Sequence, residues 1–178
     1  MIIIGLDGSM PFYRAHTPKW ASQPLSGAGA ALHGGRLNRP GIHALYLADS
    51  PALAVAESTQ GDPLMPPLTL TSYRVKLTSV VDFRDGYGPG TWHPIWQDLT
   101  GNWRGEALLE GIEPASWSIG DLVIDAGHAG VLFRSVRASG VNLVIYTDRL
   151  SAEDRLTVHD PDERLPRDQS SWSPATKT

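Results

Sequence analysis

The chain has 178 residues, 41% of them hydrophobic and 19% charged, with a formal net charge of −4 and no cysteine. That length supports one well-packed domain without a second core. The acidic balance argues against a general nucleic-acid binder, the lack of cysteine excludes disulfides and thiolate metal sites, and no run nears the roughly 20 apolar residues needed to span a membrane.

The opening Met1-Ile-Ile-Ile-Gly5 lacks the basic start and apolar length of a signal peptide, so a cytoplasmic setting is expected. Pro11–Ala15 reads as a short strand leading into a Pro/Ser/Gly-rich loop, Thr17–Gly29, and Ala28–Leu32 as a helical turn. His33-Gly34-Gly35-Arg36 follows, in which the glycines permit φ > 0 or close backbone approach. His43–Ala48 is an apolar run that reads as a strand carrying Tyr46. Asp49 or Ser50 suits a helix cap and Pro51 the first helical position. Glu57 is the only charge on that helix before Gly61 interrupts it.

Gly61–Pro67 is a turn-rich connection. Thr69–Leu77 and Val80–Phe83 alternate or run apolar as strands do. Gly86–Gly105 reads as an irregular packed loop, with Trp92, Trp96 and Trp103 as core filling rather than a nucleobase platform. Arg104–Leu109 suits a helix. Ser116 suits the cap of a helix through Ala126, with Gly127 after its end. Gly130–Phe133 and Asn142–Thr147 are β-rich around a turn at Ser135–Gly140, and Leu156–His159 adds a last strand. Strands and helices are interspersed without regular βαβ spacing, which favours a single α+β domain over residues 1–160 and a polar tail over 161–178.

Three chemically distinct groups fall close together between His33 and Glu57. An arginine fork can grip a phosphate bidentately, with Gly34 and Gly35 offering backbone N–H groups beside it. An aromatic face at Tyr46 tolerates a cationic ring. A carboxylate in an apolar setting, Glu57, stabilises a developing oxocarbenium ion. Each residue also has an ordinary meaning: a surface loop arginine, a core tyrosine, a solvent-facing glutamate. The six histidines show no metal-ligand spacing, so no metal is expected.

The runs Tyr13-Arg14-Ala-His16, Pro24-Leu-Ser26-Gly27-Ala-Gly29-Ala, Gly34-Gly35-Arg36-Leu37-Asn38-x-x-Gly41, Leu45-Tyr46 and Ala54-x-x-Glu57 occur in that order. Ala129-Gly130-Val-Leu-Phe133-Arg-Ser135 and Asn142-Leu-Val come later. Together they resemble the RES domain family over roughly Tyr13 to Tyr146. Leu37 departs from the pattern, where an aromatic residue is expected.

That resemblance implies an ADP-ribosyltransferase-like α+β fold with mixed or antiparallel sheets flanked by helices. It implies an NAD-consuming toxin of a bacterial toxin–antitoxin pair. It points to Glu57, Arg36, Tyr46 and Ser135 as the catalytic set. Arg14, His16, Gly34, Gly35, Arg36, Asn38, Tyr46 and Ser135 are implied to hold NAD, the substrate. Which of Arg14 and Arg36 meets the pyrophosphate stays open.

The expected reaction breaks the nicotinamide–ribose bond, with water, phosphate or a protein side chain as acceptor. Val55 stands two residues before Glu57, where protein-modifying relatives often carry a second Glu or Gln. The expected partner is a small helical DNA-binding antitoxin that occludes the NAD cleft. A protein acceptor is a further partner, and no direct contact with nucleic acid or membrane is expected. A ribonuclease-type toxin and a non-catalytic nucleotide-binding module are the competing readings.

Overall fold

Burial alternates along Thr69–Phe83: Thr71, Tyr73, Val75 and Leu77 face inward, and the phase shifts at Ser79 so that Val80, Val81 and Phe83 are buried. The two expected strands here are one. Asp154 bridges the polar break, accepting from both the Thr78 backbone N–H at 2.7 Å and its hydroxyl at 3.0 Å. In this computed structural model, residues 1–59 and 64–170 are described. The expected turn at 61–67 therefore falls partly, and the end of the expected tail wholly, outside the described residues.

The strands are β1 (Ile3–His16), β2 (Ala44–Ala48), β3 (Thr69–Phe83), β4 (Gly130–Arg134), β5 (Val141–Tyr146) and β6 (Arg155–Val158). The α-helices are α1 (Ala28–His33), α2 (Pro51–Thr59) and α3 (Ala115–Asp125). A 3-10 turn at Pro94–Thr100 and a π-helical turn at Gly105–Glu110 lie between β3 and α3.

The sheet order is β1-β2-β5-β4-β3-β6, and β1 also pairs with β3 from Ile3–Val81 to His16–Thr69. The strands thus close into a ring: β3 runs parallel to β4, the other ladders are antiparallel, and β2 returns to β1 at the pair Tyr13–Ala48. β1 is longer than Pro11–Ala15. Its first half is irregular, with register shifts between Ile4 and Leu6 and between Asp7 and Pro11. Gly8 at φ 84° and the Asp7 carboxylate, which accepts from Ser9 N–H at 2.8 Å, shape the second irregularity.

Both faces of β4 and β5 are covered, so these strands read as continuous apolar runs. Leu132, Leu143 and Ile145 point to one core, with Phe12, Leu45, Tyr73, Val75 and Leu77. Val131, Phe133, Val144 and Tyr146 point to the other, against Ile119 and Val123 of α3 and against Trp92, Trp96 and Leu99. Phe83 and Trp92 meet edge to face at 4.8 Å. Trp92 and Trp96 are core residues, as their setting in the sequence suggests.

α3 begins after Pro114, so Ser116 lies inside the helix, buried, with no partner for its hydroxyl. Gly127 at φ 81° follows its end, as expected. Gly120 is where this helix touches the loop after α1: a Cβ there would collide with the Leu37 carbonyl and lie 3.2 Å from the Tyr146 hydroxyl. Backbone cannot yield as a flexible side chain does, so Gly120→Ala is expected to destabilise the fold by about 1–3 kcal/mol. A lowered urea midpoint at unchanged m-value would register this.

Candidate active site

α2 starts where Ser50, not Asp49, caps it: the Ser50 hydroxyl accepts from Leu53 N–H at 3.3 Å. Asp49 instead accepts from Val141 N–H at 2.9 Å, tying the end of β2 to the start of β5. Leu53 and Ala54 are buried against Ala15 and Ala48. Glu57 lies four residues after Leu53 and three after Ala54, so it shares their face and points back over the sheet. Its Oε1 accepts from the Ser135 hydroxyl and from Asn142 Nδ2, both at 2.6 Å. Its Oε2 faces Arg137 Nε at 3.7 Å. Ser135 also accepts from Arg137 N–H at 3.0 Å, which fixes the turn after β4.

Across the cleft, the turn from Gly35 to Asn38 carries Arg36. Gly35 N–H donates to Asn38 C=O at 2.8 Å. The Tyr46 hydroxyl accepts from Leu37 N–H at 2.9 Å and donates to Asn38 Oδ1 at 2.8 Å. Tyr146 donates to Leu37 C=O at 2.8 Å, and Trp117 Nε1 to Gly35 C=O at 2.8 Å. A Cβ on Gly35 would sit 2.6 Å from the Tyr46 hydroxyl, and Gly34 has φ 76°, so both glycines are structurally required. Leu37 is fully buried in the core beneath this turn, where an aromatic side chain was the family expectation. Arg39 anchors the far end, paired with Asp121 at 2.6 Å and Glu113 at 2.8 Å.

Arg36 Nη1 donates to Leu99 C=O at 2.8 Å and Gly101 C=O at 2.9 Å. Burial pulls its pKa down and the nearby Glu57 carboxylate pushes it back up. Arg14 donates to Ser26 C=O at 3.2 Å, and burial lowers its pKa too. Burial pushes the Tyr46 hydroxyl well above its ordinary value, so it stays protonated and able to donate.

These elements enclose a cleft of about 360 Å³, within the range of small-molecule sites. Arg14, Gly34, Gly35, Arg36, Tyr46 and Glu57 line it together. Ser135 reaches the cleft through its bond to Glu57. His16 and Asn38 do not line it. His16 is buried against the Thr71 hydroxyl at 3.2 Å, and desolvation lowers its pKa to about 4. Asn38 is buried, and its Nδ2 donates to the carbonyls of Ala30, Arg39 and Ile42. Asn38 therefore fastens the turn to α1. Gly34 N–H donates to Ala30 C=O and Gly35 N–H to Asn38 C=O, so both amides serve the turn rather than a phosphate.

Asn142, Arg104 and Arg137 are absent from the expected site, and Trp103, expected to fill the core with Trp92 and Trp96, is instead half-buried outside that cluster. Trp103, Arg104, Arg137 and Asn142 all line the cleft. Asn142 alone carried a signal: one amide in an apolar strand needs a buried partner.

A RES domain family model matches residues 11–168, and the chain belongs to the RES domain family. Its fold is similar to that of a chain in the crystal structure of the M. tuberculosis MbcT–MbcA toxin–antitoxin complex. The two share 23% identity over 88% of this chain and 84% of that one, with a TM-score of 0.55. No curated protein matches the sequence. Among the described residues, no helix is long and apolar enough to cross a membrane.

The Tyr46 hydroxyl holds the turn, so its role extends beyond the ring face. Tyr46→Phe strands the Leu37 N–H and the Asn38 Oδ1, a loss of about 1–3 kcal/mol. Thermal unfolding of the variant should show a lower Tm, and ligand affinity should fall with it as Arg36 loosens. An unchanged Tm would mean that the turn holds itself.

Proposed function

We propose that this chain is the toxin of a toxin–antitoxin pair and that it consumes NAD by cleaving the nicotinamide–ribose bond. The observation that carries the reading is the Glu57 carboxylate, fixed on the cleft wall by Ser135 and Asn142 in a cleft also lined by Arg36 and Arg14.

In NAD the nicotinamide is a cationic pyridinium. It leaves neutral and needs little acid help. The barrier lies in the positive charge that develops on the ribose. A carboxylate already oriented by two neutral donors stabilises that charge without reorganising. Ser135 and Asn142 act through Glu57 and are positioning residues. Arg36 and Arg14 supply the planar forks for the two phosphates. The Tyr46 ring lines the cleft, where an aromatic face suits the cationic nicotinamide.

The ADP-ribose acceptor is water, phosphate or a protein side chain. Val55 packs with the apolar cluster under α2, so that position brings no second polar group to support a protein acceptor. A ribonuclease reading needs an acid–base pair. His33 is the one histidine among the described residues that line the cleft, which favours the NAD reading.

The expected test variant is Glu57→Gln, which keeps both accepting contacts possible and removes the charge. Its NAD turnover should fall about a hundredfold or more while circular dichroism stays unchanged. Product analysis with and without phosphate identifies the acceptor. Near-normal turnover would remove Glu57 from the reaction.

The partner proposed is a small antitoxin that covers the cleft, with a carboxylate laid against Arg36 or Arg14 in place of a substrate phosphate. Family membership supports this, as does the likeness to a chain from a toxin–antitoxin complex. The purified complex should turn over NAD far more slowly than the free chain. A complex as active as the free chain would refute occlusion.

A further inference from the structure

Three tryptophans lie within the stretch from Trp92 to Trp103, and they divide into two environments. Trp92 and Trp96 pack on each other and on Phe83, with ring centroids 4.6–5.0 Å apart. Trp103 is half-buried, belongs to neither of these stacks, and lines the cleft. The Arg104 guanidinium lies 5.3 Å from its ring centroid, and Arg104 lines the cleft as well. A half-buried indole with an exposed guanidinium beside it, at the wall of a cleft, buries less apolar area than a core indole would.

The pair is also held in place from the cleft side. Arg36 donates to the carbonyls of Leu99 and Gly101. Asn102 Oδ1 accepts from Gly105 N–H at 3.2 Å and turns the chain into the π-helical segment. Trp103 therefore sits two residues beyond a carbonyl that Arg36 grips. Its position is coupled to that of a residue assigned to phosphate. A dinucleotide with its reactive ribose at Glu57 and its phosphates at Arg36 must lay its second base farther along the cleft, past the phosphates.

We infer that Trp103, backed by Arg104, is the platform on which the adenine of the substrate stacks. The inference rests on the NAD reading above for the orientation of the substrate, but the base platform itself stands on the Trp103–Arg104 geometry. Stacking is tolerant of base identity, and hydrogen-bond readout is not required for it. The platform would confer preference for a dinucleotide over a mononucleotide that lacks the adenosine half.

Two measurements on the full chain test this. The variants are Trp103→Leu, which keeps apolar bulk without a ring, and Trp103→Phe, which keeps a smaller ring. The first measurement is calorimetric titration with AMP, which carries adenine and phosphate but no nicotinamide. Trp103→Leu should weaken AMP binding about tenfold, and Trp103→Phe should recover most of it. The second is kcat/KM with NAD and with nicotinamide mononucleotide. The loss in Trp103→Leu should be about tenfold greater for NAD than for the mononucleotide.

AMP binding that is equal in wild type and Trp103→Leu overturns the platform, as does AMP binding absent from the wild type. Equal losses for NAD and the mononucleotide overturn it too, because a merely structural role would affect both alike. If the wild type cleaves neither substrate yet binds AMP in a Trp103-dependent way, the NAD reaction falls and the base platform stands.

Discussion

Two tyrosine hydroxyls converge on one residue's backbone: Tyr46 takes the N–H of Leu37 and Tyr146 gives to its carbonyl. These tyrosines lie on adjacent strands, β2 and β5, so the turn from Gly35 to Asn38 is bonded to the sheet rather than resting on it. Everything on the arginine side of the cleft depends on that constraint. Leu37 is driven into the core by its own apolar side chain, and the hydroxyls satisfy the polar backbone that goes in with it. Such backbone groups would otherwise cost about 1–3 kcal/mol each. Arg36, next in line, is left at the surface of the cleft with one guanidinium nitrogen, Nη1, held by two carbonyls.

The carboxylate side is built by a different logic. Here the sheet supplies donors, and a helix supplies the acceptor. Asn142 sits at the register position opposite Ala48 and Phe133, and Ser135 follows the end of β4. Both donors are neutral, so neither brings a counter-charge against the carboxylate. Arg137 Nε forms a long ion pair with Glu57 Oε2 at 3.7 Å, and Arg36 is near enough to feel the same carboxylate. A direct, tight ion pair would have spent on a resident arginine the field that the proposed ribose cation needs.

Short apolar runs with clear turn residues were legible from sequence: β2, β4, β5, α1 and α2 fall where the pattern places them. Glu57 and Arg36 were legible as isolated charges beside apolar or glycine-rich segments. Three things were not. The first half of β1 contains Gly5, Asp7, Gly8 and Ser9, residues of low strand propensity that gave no strand signal, and tertiary pairing with β3 overrides that propensity. The break at Thr78 and Ser79 is closed by Asp154, a partner 76 residues away from Thr78 that local periodicity cannot see. Trp103 has the same local composition as Trp92 and Trp96, so only the path of the chain separates a cleft residue from two core residues. The roles of Asn38 and His16 were misleading for a related reason: a polar side chain near a glycine-rich loop serves the loop's own backbone as readily as a ligand.

The ring of strands is joined between β1 and β2 through the single ladder pair Tyr13–Ala48, and both of those residues line the cleft. Arg14 stands on the β1 side of this seam, and Glu57, on the helix that follows β2, stands on the other. A ligand that engages both would act as a rivet across the narrowest join in the barrel. Occupancy and mechanical cohesion are then one property: free energy gained by binding is also free energy that must be overcome before the seam can part.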